Sequence, residues 1–181
     1  MLKDVTTEIE LKAIYDEIDV QTDRGAAIIS GAILEEQLTE ALKRRLILTA
    51  SLSEKIFNYE QNGALSAFAQ KIDVSFAVGM IKPDVRDDLH NIRRIRNRFA
   101  HRIEPIDFRD RKIVGFCSAL RLGQDFTNPK ARYMISFVSL STLLIVLRNL
   151  DIKIQPIRDQ EGMDEQIEEA VNRLIPDEAA G

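Results

Sequence analysis

Residues Pro83 to Arg102 read PDVRDDLHNIRRIRNRFAHR, and the fold class is decided there. Leu89, Ile92, Ile95, Phe99 and then Ile103 recur at steps of three and four, which gathers them on one face of an α-helix at about 100° per residue. Pro83 suits the first turn, where its missing N–H has no intrahelical bond to lose, and Asp84 suits the positive end of the helix dipole. The helix reaches about Arg102, and Pro105 ends it. One polar residue interrupts the apolar face: Arg96 falls between the directions of Leu89 and Ile92. A guanidinium buried there without a partner carries a heavy desolvation penalty. Arg96 must therefore meet a carboxylate, backbone carbonyls, a subunit boundary or a bound phosphate. Glu35 and Glu36, in the middle of the long helix that precedes it, are the candidate partners.

Working outward, the same periodicity covers the chain. Residues 4–18 form a loose helical pattern. Thr22 or Asp23 caps a long amphipathic helix through Ala26, Ile29, Ile33, Leu34, Leu38, Leu42 and Leu46, ending near Leu48. Gly25 and Gly31, with Ala26, Ala27 and Ala32, give it a smooth stretch where another helix can approach. Residues 49–62 are a polar connector with a short helical piece, whose Phe57 and Tyr59 read as packing residues. Asn62-Gly63 opens the next helix, which stops at Gly79, a left-handed C-terminal cap. Residues 110–122 and 130–149 are two further helices, Ile152 to Pro156 a short extended piece, and residues 160–175 a last acidic helix. With eight Gly and five Pro in 181 residues, long helices fit better than a turn-rich sandwich. The expectation is an all-α, single-domain bundle of about six to seven helices over residues 1–155, followed by an acidic tail, 156–181.

Composition narrows the function classes. The single cysteine, Cys117, excludes an internal disulfide and a cysteine-based zinc site, and it reads as a core thiol beside Phe116 and Leu120. The N-terminus lacks the apolar core of a signal peptide. The uncharged run Tyr133 to Leu147 falls short of the roughly 20 residues a membrane span needs and reads as a buried helix. A cytoplasmic protein without a membrane partner is expected. The net charge of −4 is uneven: residues 159–181 carry eight acids against Arg173, while residues 93–102 carry five arginines and no acid. Such a chain is a poor general DNA binder that can still hold a phosphate locally.

A second face of the 83–102 helix collects Arg86, His90, Arg93, Arg94, Asn97 and His101. The two histidines of the chain are eleven residues apart, roughly 16 Å along the axis, too far to share one metal. No metal or cofactor is called for, and no glycine-rich phosphate loop or Ser-His-Asp arrangement can be drawn. A histidine exchanges protons near neutral pH, and an arginine steadies charge on a phosphodiester. Arg96, Asn97 and His101 thus form a candidate set for metal-free RNA cleavage, with Arg93, Arg94, His90, Glu35 and Glu36 as candidate binding residues. Arg96 and His101 point about 140° apart on one helix, so a two-fold dimer would be needed to complete such a site. The competing reading is structural: Arg96 in a buried salt bridge, Asn97 tying helix ends together, and His101 favoured by the helix dipole. The acidic start Asp84, Asp87, Asp88 argues against this helix reading a DNA groove.

Three stretches carry a resemblance: Thr22-Asp23-Arg24 through Leu34-Glu35-Glu36; Ala67-Phe68-Ala69-Gln70-Lys71-Ile72-Asp73; and, after Gly79, Asp88-Leu89-His90 with Ile92 through His101. Together they resemble the MltR family, the mannitol operon repressor-like proteins, over roughly residues 22–122. The resemblance implies an all-α dimer that regulates transcription through protein partners, without a DNA-reading module and so without specific DNA binding alone. Arg96-Asn97 followed by three residues and His101 is also similar to the signature of HEPN-domain ribonucleases. That second resemblance implies a HEPN-like bundle in which Arg96 binds phosphate, Asn97 orients and His101 is the acid/base, acting on RNA or another phosphate ligand. The leading expectation is a repressor-type regulator, and the alternative is a metal-independent endoribonuclease or an inactive relative.

Overall fold

The Thr22 hydroxyl accepts a hydrogen bond from the Gly25 N–H at 3.1 Å, and from that N-cap runs the longest helix among the described residues. The computed structural model describes residues 12–150 and 152–154. Over them the chain is an all-helical single-domain bundle. Helical residues 12–19 (α1) lead into α2 (Asp23–Arg45), α3 (Ala50–Phe57), α4 (Phe68–Ala77), α5 (Pro83–Ala100), α6 (Arg111–Ser118) and α7 (Pro129–Asn149), seven helices and no strand among the described residues. Side chains placed as the sequence requires cap several ends. Thr49 accepts from Leu52 N–H, Asp110 from Lys112 and Ile113, and Asn128 from Ala131. Pro83 and Pro129 each occupy a first turn. Gly79 stops α4 at a φ of +67°, a left-handed conformation in which a side chain would be strained.

α2 and α5 form the centre. α2 packs on α7, α5 and α4, while α5 touches α2, α4, α6 and α7. Leu34, Leu38 and Leu42 of α2 meet Leu89, Ile92, Ile95 and Phe99 of α5, all of them wholly excluded from solvent. Phe99 meets Phe108 edge to face, and Phe108 meets Tyr133 at a tilt, with ring centroids 5.3 and 5.0 Å apart. The Tyr133 hydroxyl sits 2.5 Å from Ser30 Oγ, which donates to the Ala26 carbonyl at 2.6 Å, so a buried phenol is satisfied by α2. α7 is long and apolar enough to cross a membrane by length and composition. Here it lies along α2 and buries Tyr133, Phe137, Leu140, Leu144 and Ile145. Cys117 is buried in the same core, and burial pushes its thiol up to about 12, which keeps it an inert neutral group.

The structure corrects several sequence expectations. Helix α4 opens at Phe68 rather than at Asn62-Gly63. Asn62 takes a φ of +50°, and a Cβ on Gly63 would lie 2.4 Å from the Ile56 carbonyl oxygen, so this dipeptide makes a tight turn that folds back on α3. Tyr59 is exposed rather than packed. α5 ends at Ala100, one turn before Ile103 can reach the core, and Ile103 is 94% exposed. Residues 152–154 form no strand, although Ile154 N–H donates to the Arg45 carbonyl at 2.9 Å. The acidic helix expected at 160–175 lies outside the described residues.

Candidate functional site

The site is built on α5, whose backbone is held rigid by its core face and by a clamp at its C-terminal end. Arg24, at the start of α2, donates to the carbonyls of Arg102 and Glu104 at 2.9 Å each. Arg98 pairs with Asp110, the N-cap of α6, at 2.9 Å. These bonds satisfy backbone and charge where α5 ends.

Arg96 projects toward α2, as the interruption of the apolar face requires. Its stem crosses Gly31: a Cβ at that glycine would lie 2.9 Å from Arg96 Cγ and 3.0 Å from its Cβ. The guanidinium reaches Glu35 Oε2 at 3.4 Å and lies 5.6 Å from the centre of the Phe68 ring. Glu35 Oε1 takes a closer bond, 3.0 Å, from Lys71 of α4, a lysine only 7% exposed. One carboxylate thus joins three helices and answers two cations. Arg96 Nε is buried without a hydrogen-bond partner among the described residues. Of the two glutamates expected here, Glu36 is exposed on the outer side of α2 and has no partner among the described residues.

The second face of α5 divides in two. Arg86, His90, Arg93 and Arg94 line an open cleft of about 580 Å³, completed by Asp87, Asn91, Asp73 of α4, and Ala119 and Arg121 from the connection between α6 and α7. Asp73 organises one wall. Its Oδ1 accepts from Arg86 Nε and Nη2 at 2.9 and 2.7 Å and lies 3.1 Å from His90 Nε2. These contacts, Arg86 first and His90 second, hold the Asp73 carboxyl below the usual carboxylate range. Arg121 pairs with Asp84 and lies 3.7 Å from Asp87. Beneath it, fully buried Asp88 accepts the backbone N–H groups of Arg121 and Leu122 at 2.9 Å each, and burial raises its carboxyl above the ordinary range despite those bonds.

Arg93 and Arg94 are different. Among the described residues, Arg94 donates only to the Asn91 side-chain oxygen, at 3.0 Å. Arg93 has no hydrogen-bond or ion-pair partner among the described residues, and its Nε is buried. Burial, and then the charges of Arg94 and Arg96, push the Arg93 guanidinium below its ordinary range.

Asn97 and His101 do not line this cleft. Asn97 is half-buried, and its carbonyl accepts the His101 N–H at 3.0 Å; His101 is the C-cap, exposed, without a side-chain partner among the described residues. The six residues of the second face therefore separate into a cleft group and an end-of-helix pair. Arg96 faces neither, being turned to Glu35. The sequence reading missed Asp73 as the residue that ties His90 to Arg86, and it missed Asn91 and Arg121. The signal for Asp73 lay in the Lys71-Ile72-Asp73 segment; Arg121 enters through a long-range contact with no local signature. Among the described residues no three His, Cys, Asp or Glu side chains converge where a metal ion could sit. Compared with known proteins, the chain matches no family model, no curated protein and no solved structure.

Proposed function

We propose that this chain is a repressor-type regulator of the MltR kind, which works as a dimer through a protein partner and carries no DNA reader of its own. The observation that supports it most directly is the engagement of Arg96 by Glu35 at 3.4 Å, away from His101. An arginine that must steady a phosphodiester under attack needs its guanidinium free and converging on the acid/base group; here it is turned into the seam between helices. The position of α5 supports the absence of a reader. A groove-reading helix must project from its domain, whereas α5 is enclosed by α2, α4, α6 and α7, and its N-terminal end presents Asp84 and Asp87.

A second reading has its own support. His101 is exposed at the end of α5, one turn from Asn97, and so is open to a second copy of the chain. In a HEPN-like dimer that end would form a composite endoribonuclease site, with Arg96 released from Glu35. One experiment separates the two. Purified protein and its His101→Ala variant are incubated with single-stranded RNA in the presence of EDTA and, in parallel, titrated with duplex DNA over a range of salt. The regulatory reading expects no cleavage by either protein and weak, salt-sensitive, sequence-independent DNA binding. Cleavage that disappears in His101→Ala would establish the nuclease, and tight binding of one operator at physiological salt would contradict the absence of a reader.

A further inference from the structure

We infer that the cleft between α4, α5 and the α6–α7 connection binds a small phosphate monoester, held chiefly by Arg93 and Arg94. The inference rests on the regulatory reading in taking this ligand as an effector; occupancy of the cleft is measured independently of it.

Four guanidiniums line the cleft against two carboxylates. Asp73 is committed to Arg86 and His90, while Asp84 and Asp87 answer Arg121. That leaves two cations, adjacent in sequence and open to the same space, with no carboxylate of their own among the described residues. Arg93 is also partly desolvated, with a buried Nε that meets no acceptor among the described residues. A chain gains nothing in stability by holding two uncompensated guanidiniums side by side. An anion entering the cleft supplies the missing charge and acceptors together.

The shape and the rim then select among anions. The volume, about 580 Å³, lies within the roughly 300–1,000 Å³ typical of small-molecule sites. A monoester carries between about −1.5 and −2 at neutral pH, which matches two free guanidiniums; a diester carries one charge per phosphate. An RNA strand would have to pass its next phosphates across Asp73 on one side or Asp84 and Asp87 on the other, and these repel it. Arginine pairs also suit the planar, two-bond recognition of phosphate oxygens, and Asn91 and Asp73, which line the same cleft, supply polar groups beside them.

The test uses the full chain and isothermal titration with two probes, inorganic phosphate and adenosine 5′-monophosphate, beside a short oligoribonucleotide without terminal phosphates. Variants are Arg93→Gln, Arg94→Gln and the double change, with Arg109→Gln, an exposed arginine outside the cleft, as a control. Thermal melts without ligand check the fold. Saturable one-site binding of the monoester is expected, weakened about tenfold by each single change and lost in the double, with the control unaffected. The ligand-free melting temperature of Arg93→Gln should be no lower than that of the parent, since the lost side chain has no hydrogen-bond or ion-pair partner among the described residues. No saturable binding by folded protein, undiminished affinity in the double variant, or tighter binding of the oligoribonucleotide than of the monophosphate would each overturn the assignment. RNA cleavage would instead defeat the regulatory reading and leave a measured phosphate site standing.

Discussion

The stem of Arg96 lies across Gly31, on ground that any other residue would occupy: a Cβ there would meet Arg96 Cγ at 2.9 Å. The atoms that clash are at the base of the arginine side chain, so they cannot swing aside without moving α5 relative to α2. Gly31→Ala should therefore destabilise the protein. Overpacking typically costs about 1–3 kcal/mol, which exceeds the roughly 1 kcal/mol gained by removing a glycine from a helix interior. Gly115 in α6 provides the contrast, because nothing lies within 4 Å of its would-be Cβ. Gly115→Ala should stabilise by about 0.5–1 kcal/mol. Urea denaturation of both variants checks the pair; a neutral or stabilising Gly31→Ala would mean that α2 and α5 are not so closely apposed.

Asp110 has two roles, capping α6 and pairing with Arg98, and its side chain is 17% exposed. Asp110→Ala should cost about 1–3 kcal/mol at neutral pH, the sum of a lost N-cap and a partly buried ion pair. The pH dependence follows from sign. Arg98 first holds the folded-state pKa of Asp110 below its ordinary value of 3.8, so the folded protein gives up this proton more readily than the unfolded chain. The contribution is complete above that ordinary value and fades as pH falls through the depressed one. The stability gap between parent and variant should close on acidification. A gap that stayed constant would assign the cost to helix propensity alone.

At the alkaline end the relevant group is Tyr133, whose hydroxyl is sealed between Ser30 and Ala27. Burial raises the phenol well above its ordinary 10.0, so the neutral form belongs to the folded state. As pH rises through the ordinary value, the unfolded chain releases this proton first and unfolding becomes easier. Tyr133→Phe should cost about 1 kcal/mol near pH 7, for the lost hydrogen bond, and should lose less stability than the parent above pH 10. Equal alkaline sensitivity in the two proteins would show that other groups govern the transition.

Helix positions were legible in the sequence because α2, α5 and α7 repeat their apolar residues over many turns, and period outweighs local propensity at that length. Arg96 was legible for the same reason: one charge on an otherwise apolar stripe has to be answered. The choice of Glu35 over Glu36 was not legible, since neighbouring helix positions differ by about 100° and only the docking of α2 on α5 resolves them. Ile103 was misplaced by extending the period past Ala100, where the turn toward Pro105 takes the chain out of the helix. The cleft was half legible. His90, Arg93 and Arg94 share one face by periodicity, but Asp73 and Arg121 arrive from α4 and from the connection after α6, and that geometry exists only once the bundle has formed.

The claim on which the account depends is that the charge of Arg96 is answered inside the fold by Glu35, and a double-mutant cycle measures this most directly. Stability is determined by urea unfolding for the parent, Glu35→Gln, Arg96→Met and the double variant. Glu35→Gln also strips Lys71 of its 3.0 Å partner, so it should be the more damaging single change, and restoring order by Lys71→Met in that background is an internal check. The expected result is a coupling between Glu35 and Arg96 of about 1 kcal/mol, the double variant being less destabilised than the two single losses added together. Strict additivity, with a coupling below about 0.3 kcal/mol, would contradict the account and return Arg96 to the phosphate chemistry that its position beside Asn97 and His101 first suggested.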